Sequence, residues 1–245
     1  MYYAQEYIKP YNTNDGKAEQ IRTMFNLIAP MYDKLNNLLS LGLHSHWREK
    51  AVNTLVPCKP KRLLDIATGT GDLAILAYRI LQPDHVIGVD ISEEMMTKAK
   101  IKVKGKHFSD RISFQHQDCL SLSFDDDCFD AVTVAFGVRN FENLDLCLYQ
   151  MYRVLRTKGH LVILELSTPI KFPFKQLFNI YNKFVIPMVG GLFGHNKKAY
   201  TYLTKSIEAF PQGEQMQRII GKAGFQQVRF KRLTFGICTL YCAEK

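Results

Sequence analysis

The sequence lacks both a secretory leader and an apolar run long enough to cross a bilayer. Its first residues, Met-Tyr-Tyr-Ala-Gln-Glu, have neither the basic cluster nor the apolar stretch of a signal peptide. The longest apolar run covers residues 184–194, well short of the ~20 residues that a membrane-spanning helix needs. We therefore expect a cytoplasmic protein that is at most peripheral on the inner face of the cytoplasmic membrane.

Metal-binding and disulfide patterns are lacking as well. The six cysteines are scattered, and Cys238 and Cys242 have no second cysteine or histidine pair at metal-site spacing. The pair formed by His44 and His46 is equally isolated. We therefore expect reduced, mostly buried thiols and no metal.

Acidic residues are scarce in the last third of the chain. The net charge is +9, and residues 171–245 hold the entire basic excess. A basic surface suits nucleic acid or an anionic lipid surface, and it is equally consistent with an ordinary solvated face.

After residue 60 the chain alternates regularly between strand and helix signals. Five apolar runs of strand length are separated by helical periodicity, at residues 62–67, 86–89, 112–117, 129–136 and 160–166. Repeated βα units form a parallel sheet, and two last runs, at 225–233 and 235–242, are close enough to pair as an antiparallel hairpin. We predict an α/β fold with a Rossmann-like, seven-stranded, mostly parallel sheet, and expect ligands at the carboxyl ends of its strands.

The other segments are arranged around this sheet. Residues 1–16 are polar and predict a mobile arm, and two or three short helices complete an N-terminal cap over residues 1–60. The sheet occupies residues 61–245, with a substrate-side insertion at about 170–212. We expect one compact domain, because 245 residues with 47% apolar content can bury a single core.

The stretch 62–72, Arg-Leu-Leu-Asp-Ile-Ala-Thr-Gly-Thr-Gly-Asp, predicts a buried strand, a glycine turn and the start of a helix. Gly69 and Gly71 would let the backbone approach a ligand closely, and the helix N-terminus would offer free N–H groups. The run 69–74 also fits the dinucleotide pattern G-x-G-x-x-A. The loop by itself leaves a nicotinamide oxidoreductase open.

Acidic residues at three successive strand ends favour a different ligand. Asp65 precedes the loop, where it would repel a phosphate and attract an ammonium or sulfonium group. Asp90 can bind a ribose diol, and Asp118 can accept from the exocyclic amine of adenine. An adenine, a ribose and a cationic amino acid together describe S-adenosylmethionine.

The catalytic elements of other enzymes that use this fold are absent. After the fourth strand, residues 135–140 read Ala-Phe-Gly-Val-Arg-Asn, without the Asn/Asp-Pro-Pro-aromatic motif of amino-directed nucleic-acid methyltransferases. The Pro-Cys dipeptide of cytosine methyltransferases occurs at 57–58, before the first strand. A Tyr-x-x-x-Lys pair occurs at Tyr241 and Lys245, too near the end for a dehydrogenase site. We therefore expect no nucleic-acid partner.

Several longer stretches resemble one family, the ubiquinone/menaquinone biosynthesis C-methyltransferases. They cover the loop after the first strand, an N-terminal signature, the end of the fourth strand and a C-terminal signature: Leu64–Asp72, Ala29–Asn36 with Leu39–His44 and Trp47-Arg48, Phe129–Asn140, and Tyr200–Pro211. The match covers roughly residues 20–243. One departure is Ala135, where some relatives have serine, so a hydroxyl contact to the cofactor is lost there.

The resemblance implies S-adenosyl-L-methionine as the cofactor and a demethylated, prenylated quinol as the substrate. Family cofactor positions correspond to Thr70, Asp90, Asp118 and Cys119, the last through its backbone beside the adenine, in addition to Gly69 and Gly71. Demethylmenaquinol is favoured because many relatives act only on it, and ubiquinone-branch methylation stays open.

For the chemistry, Arg139 and Asn140 are the candidate catalytic residues. A cation beside the quinol hydroxyl would stabilise its phenolate, and Asn140 would orient the hydroxyl or a water. Arginine is a poor base, so a water or a carboxylate would take the proton. The alternative is a structural arginine that ties down the loop after the fourth strand.

Aromatic and basic residues indicate where the rest of the substrate lies. Tyr32 and Asp33 fit a lid over the cofactor, and Tyr200 and Tyr202 fit the quinol pocket. The segment 172–193 mixes aromatic, aliphatic and lysine side chains, so it is either a core helix or an interfacial element that admits a polyprenyl tail at a membrane surface. The oligomeric state stays open between monomer and homodimer.

Overall fold

Seven strands form one mixed sheet in the computed structural model, which describes residues 3–186 and 197–245. The strands are β1 Arg62–Ile66, β2 His85–Asp90, β3 Ile112–His116, β4 Phe129–Ala135, β5 Leu155–Leu166, β6 Gln226–Leu233 and β7 Cys238–Glu244. Their order across the sheet is β3-β2-β1-β4-β5-β7-β6. Strands β1 to β5 are parallel, and β7 lies antiparallel between β5 and β6. The predicted sheet and its antiparallel C-terminal pair are confirmed.

Helices cover both faces of this sheet. In the described ranges they are α1 Ala4–Tyr7, α2 Lys17–Ile28, α3 Tyr32–Ser40, α4 Leu43–Asn53, α5 Asp72–Leu81, α6 Glu93–Val103, α7 Leu144–Val154, α8 Phe174–Ile180, α9 Lys197–Ala209 and α10 Glu214–Lys222. Leu63 and Leu64 are both fully buried, Leu63 in the core cluster with α4, α5 and α6, and Leu64 in the cluster with α7 and α10. Because successive strand residues point to opposite faces, burial on both faces explains the continuous apolar runs.

The N-terminal arm is docked against the sheet domain at Gln5 and Glu6, so the predicted mobility of residues 1–16 is wrong at these two positions. The Gln5 amide donates to the Val138 carbonyl at 3.4 Å, and Glu6 Oε1 accepts the Leu144 N–H at 2.7 Å. Gln5 and Glu6 are both buried. Sequence periodicity misses this docking because the anchors are polar groups whose partners lie far along the chain.

Two local details concern the edges of the core elements. The Ser92 hydroxyl accepts the Met95 N–H at 3.3 Å, which confirms the predicted N-cap, and the lysine-rich run that follows is helical. Strand β5 begins at Leu155 rather than near residue 160. Leu155 pairs with Phe129 at the start of β4, and residues 158–159 continue the strand by hydrogen bonds with Lys245: the Lys158 N–H donates to the Lys245 carbonyl, and the Lys245 N–H donates to the Gly159 carbonyl.

The predicted insertion at 170–212 contains α8, α9 and a π-helical turn at Tyr181–Val185. Residues 187–196, which include most of the longest apolar run, lie outside the described residues. Within the described ranges, every helix is too short or too polar to traverse a bilayer. The same part of the chain contains no cluster of three metal-ligating side chains.

Candidate active site

The two glycines of the loop after β1 have different surroundings. Gly69 has φ +57° and open space where a Cβ would stand, and its N–H donates to Asp90 Oδ2 at 2.8 Å. Gly71 has φ +79°, and a Cβ there would lie 2.8 Å from the Phe114 ring. Gly69 therefore lets a ligand approach the backbone, whereas Gly71 lets α5 pack against the sheet.

A cleft of about 750 Å³ opens at the carboxyl ends of β1, β2 and β4; we call it the strand-end cleft. Gly69, Asp90, Asp118 and Cys119 line it, together with Asn140. Five residues that the sequence predicts for the site are thus brought together, while Thr70 and Gly71, in the same loop as Gly69, do not line the cleft.

Asp90 is fixed by backbone donors on both of its oxygens. Oδ2 accepts from Gly69, and Oδ1 accepts the Ser92 N–H at 2.9 Å. Burial raises the pKa of Asp90, against the effect of the Ser92 and Gly69 hydrogen bonds, which lower it. Each carboxylate oxygen can still accept a second hydrogen bond, which suits the two hydroxyls of a ribose.

Asp118 and Cys119 form a neighbouring acceptor and donor. Asp118 Oδ1 accepts the Leu120 N–H at 2.9 Å, which holds the carboxylate in place. The Cys119 N–H has no hydrogen-bond partner among residues 3–186 and 197–245. A carboxylate beside a free N–H matches the edge of adenine, which offers an amine donor next to a ring-nitrogen acceptor.

The Thr70 hydroxyl joins the loop to the helical cap. It donates to Asp33 Oδ1 at 2.7 Å and accepts from Lys102 Nζ at 2.8 Å. Lys102 also pairs with Asp33 at 2.7 Å and with Asp72 at 2.6 Å. Burial alone would raise the pKa of Asp33, but the hydrogen bonds from Lys102 and Thr70 outweigh it and lower that pKa. The network anchors α3 over the loop, and Lys102 is a member that the sequence did not indicate.

Asp65 lies beneath the loop rather than in the strand-end cleft. Its oxygens accept from the Thr68 and Thr133 hydroxyls, each at 2.7 Å. The side chain is 1% exposed, and burial raises the pKa of Asp65 to about 6. Its direct contacts hold the loop on β4, so the predicted attraction of a cationic ligand would act from behind the loop.

A second, apolar cavity of about 1120 Å³ adjoins the strand-end cleft. Phe25, Tyr32 and Phe136 line both spaces. Other side chains of the apolar cavity come from the helical cap, the loop after β4 and the insertion, and include Leu35, His44, Trp47, Arg139, Tyr181, Tyr200 and Tyr202. We call it the apolar cavity.

Arg139 reaches this cavity from the short 3₁₀ turn Val138–Asn140 after β4. Its Nη1 donates to Glu165 Oε1 at 2.6 Å and to the Phe136 carbonyl at 2.7 Å. Burial alone would lower the pKa of Arg139, but the Glu165 carboxylate raises it, so the guanidinium stays charged. Its Nε is buried without a partner and is a donor that a ligand oxygen can use.

Asn140 is held by Tyr202. The Tyr202 hydroxyl donates to Asn140 Oδ1 at 3.0 Å, and both side chains are buried. Burial raises the pKa of Tyr202 above its usual range. The neighbouring Tyr200 hydroxyl lines the apolar cavity, is buried and has no partner in the described part of the chain.

Two buried charged residues near the site were missed by sequence reasoning. Glu165 is 0% exposed, although it stands in the apolar run of β5; an acid inside such a run was the available signal. Lys17 is also 0% exposed, and its Nζ donates to the carbonyls of Gln5, Arg139 and Phe141 at 2.7, 3.3 and 3.2 Å. Nothing in its own segment indicates this, because all three acceptors are backbone groups.

Solved structures place this fold in a broad class. A SAM-dependent methyltransferase from Thermotoga maritima superposes with a TM-score of 0.60 at 17% identity, over 89% of this chain and 98% of that one. The fold is therefore that of the SAM-dependent methyltransferases.

Within that class, the profile of the ubiE/COQ5 methyltransferase family matches residues 13–245. The chain belongs to this family, as its sequence motifs predicted. It is 58% identical to a demethylmenaquinone methyltransferase of Bacteroides fragilis over the full length of both chains. It is also 46% identical to a demethylmenaquinone methyltransferase of Porphyromonas gingivalis, over 98% of each chain.

Proposed function

We propose that this methyltransferase transfers a methyl group from S-adenosylmethionine to a ring carbon of demethylmenaquinol in menaquinone biosynthesis. The observation that carries the proposal is the pair of adjoining spaces. One is a cleft that contains polar partners for a nucleoside, and the other is an apolar cavity that adjoins it and suits a quinol ring. The names of the relatives at 58% and 46% identity agree with this substrate.

The strand-end cleft offers a complete set of partners for the nucleoside part of S-adenosylmethionine. Asp118 and the unpartnered Cys119 N–H would bind the adenine edge. Asp90 would bind the ribose, and the open space at Gly69 would admit the amino-acid part. When bound, this cofactor supplies an electrophilic methyl group.

Arg139 would stabilise the ionised form of the quinol. A phenolic hydroxyl with a pKa of about 10 needs roughly 4 kcal/mol of stabilisation to ionise near pH 7, at about 1.36 kcal/mol per pKa unit. A fixed cation and an unpartnered donor in a poorly hydrated cavity can supply much of this. Glu165 offsets part of the positive charge, so the buried Nε–H donor is expected to contribute directly.

Asn140 would position the same hydroxyl. Because Tyr202 donates to Asn140 Oδ1, the amide group is oriented with its nitrogen as the free donor. Its Nδ2 has one long bond, 3.5 Å to the Phe136 carbonyl, so a hydrogen remains for the substrate. Asn140 lines the strand-end cleft while Arg139 lines the apolar cavity, as expected where cofactor and quinol meet.

The polyprenyl tail would enter beside α8, where the chain meets an anionic membrane surface. The exposed apolar side chains here are Ile170, Phe172, Leu177, Ile180 and Phe184, and the exposed basic ones are Lys171, Lys175 and Lys183. Phe178 and Ile186 of the same segment line the apolar cavity. Each tail CH₂ that moves from water into an apolar environment contributes about 0.8 kcal/mol.

Flotation with vesicles containing anionic lipid tests this contact. We expect binding at low salt that weakens at high salt, and loss of binding when Phe172, Leu177 and Phe184 are all replaced by serine. Ile101→Ser, at an equally exposed position on α6, is the matched control and should float like the wild type. Absence of binding at both salt concentrations would reject the membrane proposal.

Deletion of the gene in its host tests the enzymatic function. Accumulation of demethylmenaquinone, reversed by the intact gene, is the expected result. Accumulation of a ubiquinone precursor instead would reassign the substrate, and an unchanged, fully methylated quinone pool would reject the function.

A further inference from the structure

His44 lines the apolar cavity together with Arg139, yet the roles proposed so far leave it unused. We infer that His44 is the general base that removes the ring-hydroxyl proton of the quinol. The inference rests on the proposed function and deepens it, because neither Arg139 nor Asn140 can accept that proton at neutral pH.

The hydrogen-bond pattern around His44 determines which ring nitrogen carries hydrogen. The Ser40 hydroxyl donates to the Asn36 carbonyl at 2.6 Å, and a carbonyl can only accept. Ser40 has a single hydroxyl hydrogen, so its contact with His44 Nδ1 at 2.6 Å requires Nδ1–H to be the donor. The lone pair then lies on Nε2, and the ring is oriented by its other nitrogen, as in many catalytic histidines.

The charges around His44 keep the ring neutral. Burial lowers the pKa of His44 below 6.5, and Arg48 on the same helix lowers it further, against the opposing effects of Asp72 on α5 and Asp33 on α3. The other titratable groups that line the apolar cavity are Arg139 and the tyrosines 32, 181, 200 and 202. A neutral imidazole is the form that can accept a proton.

The buried carboxylate that pairs with Arg139 is a poorer candidate for the general base than His44. Glu165 is 0% exposed, and its oxygens accept from Arg139 Nη1 and from the N–H groups of Arg139 and Leu166. His44 is only half-buried, and the exposed Ser45 hydroxyl lies 3.4 Å from its Nε2. A proton taken up at this position therefore has a route to solvent.

Proton transfer to His44 conserves atoms and charge. The quinol O–H bond breaks, an N–H bond forms at His44 Nε2, and the electron pair stays on oxygen as a phenolate next to Arg139. After methylation, the ring carbon releases its own hydrogen to water as a proton, and the electron pair of that C–H bond restores the aromatic phenolate. The phenolate oxygen then regains the proton held on His44 Nε2. One proton is released overall for each methyl group transferred.

Steady-state kinetics of the purified enzyme with demethylmenaquinol test the inference. His44→Gln should lower kcat by about 10²- to 10⁴-fold, the range for loss of a general base, with little change in KM. The wild-type kcat should fall at acidic pH with a pKa below 6.5, and this acid limb should be absent in His44→Gln. His46→Gln, an exposed residue on the same helix, should behave as the wild type in both respects.

Nitrogen-15 NMR gives a readout that does not depend on activity. The His44 signals, assigned by their loss in His44→Gln, should show the Nδ1–H form, and Ser40→Ala should shift that equilibrium. If the wild-type enzyme does not methylate demethylmenaquinol, the proposed function is wrong. If the wild type is active and His44→Gln has a kcat within about threefold of the wild-type value, with the same acid limb, His44 is not the general base. Added imidazole should partly restore a folded but inactive His44→Gly.

Discussion

Arg139 pairs with Glu165, and we propose that it also acts as a cation for the substrate; a double-mutant cycle distinguishes these two roles. The two side chains are 7% and 0% exposed, and Nη1 lies 2.6 Å from Oε1. Arg139→Met leaves a buried carboxylate without a counter-charge, and Glu165→Gln leaves a buried guanidinium. Loss of one partner of a buried pair costs about 3–5 kcal/mol, so each single variant should lose about that much unfolding free energy.

The double variant Arg139→Met with Glu165→Gln should be more stable than either single variant. It contains no unpaired charge. The Arg139 and Leu166 N–H groups donate to different oxygens of the Glu165 carboxylate, so an amide in its place keeps an acceptor for one of them and leaves the other without a partner. The remaining loss of about one hydrogen bond costs about 1–2 kcal/mol. In a chain of this size, each kcal/mol shifts Tm by about 2–4 °C, so calorimetry resolves the three variants.

Activity then separates the two roles. The double variant should bind S-adenosylhomocysteine like the wild type but methylate demethylmenaquinol at least about 10²-fold more slowly, the scale of losing one donor to a developing oxyanion. If the double variant recovered activity along with stability, Arg139 would serve only to neutralise Glu165, and the electrostatic account would be refuted.

Three further predictions concern the loop and its supports. Gly71→Ala should lose about 2–4 kcal/mol of stability, because its Cβ would lie 2.8 Å from the Phe114 ring at a positive φ. Gly69→Ala should lose only about 1–2 kcal/mol of stability but bind S-adenosylhomocysteine at least about tenfold more weakly. Equal calorimetric results for the two variants would contradict the assignment of Gly69 to the ligand and of Gly71 to packing. Lys17→Met should lower kcat by loosening the loop after β4. Burial lowers the pKa of Lys17 to about 8, so wild-type stability relative to this variant should increase from pH 8 towards 10.5. A stability difference in urea unfolding that does not change with pH would argue against this buried lysine. Burial raises the pKa of Asp65 to about 6, so wild-type stability relative to Asp65→Asn should fall by about 3 kcal/mol between pH 4 and 7, and no fall would show that the carboxyl is not desolvated.

Features that follow from chain direction and local chemistry were predictable. Parallel strands bring their carboxyl ends to one edge, so the acids that follow β2 and β3 had to meet the glycine loop. Asp90 and Gly69 do meet, at 2.8 Å. The position of Arg139 after β4 followed from motif resemblance, and its side chain lines the apolar cavity.

Features that depend on distant partners were not predictable. A pattern of strands cannot reveal that Glu165 on β5 pairs with Arg139 in the turn after β4. Nor can it reveal that the Thr70 hydroxyl is hydrogen-bonded to both Asp33 and Lys102. The different roles of the two glycines were not predictable either. The Gly-x-Gly spacing is the same whether a glycine faces open space, like Gly69, or an aromatic ring, like Gly71.

The most direct test of the account is methyl transfer by the purified protein to reduced demethylmenaquinone in vesicles, with S-adenosylmethionine that carries a deuterated methyl group. The account predicts menaquinone with the deuterated methyl on its ring carbon, detected by mass spectrometry and strongly reduced in Arg139→Met. Label on a quinol oxygen, or an unlabelled quinone with active and folded protein, would contradict it.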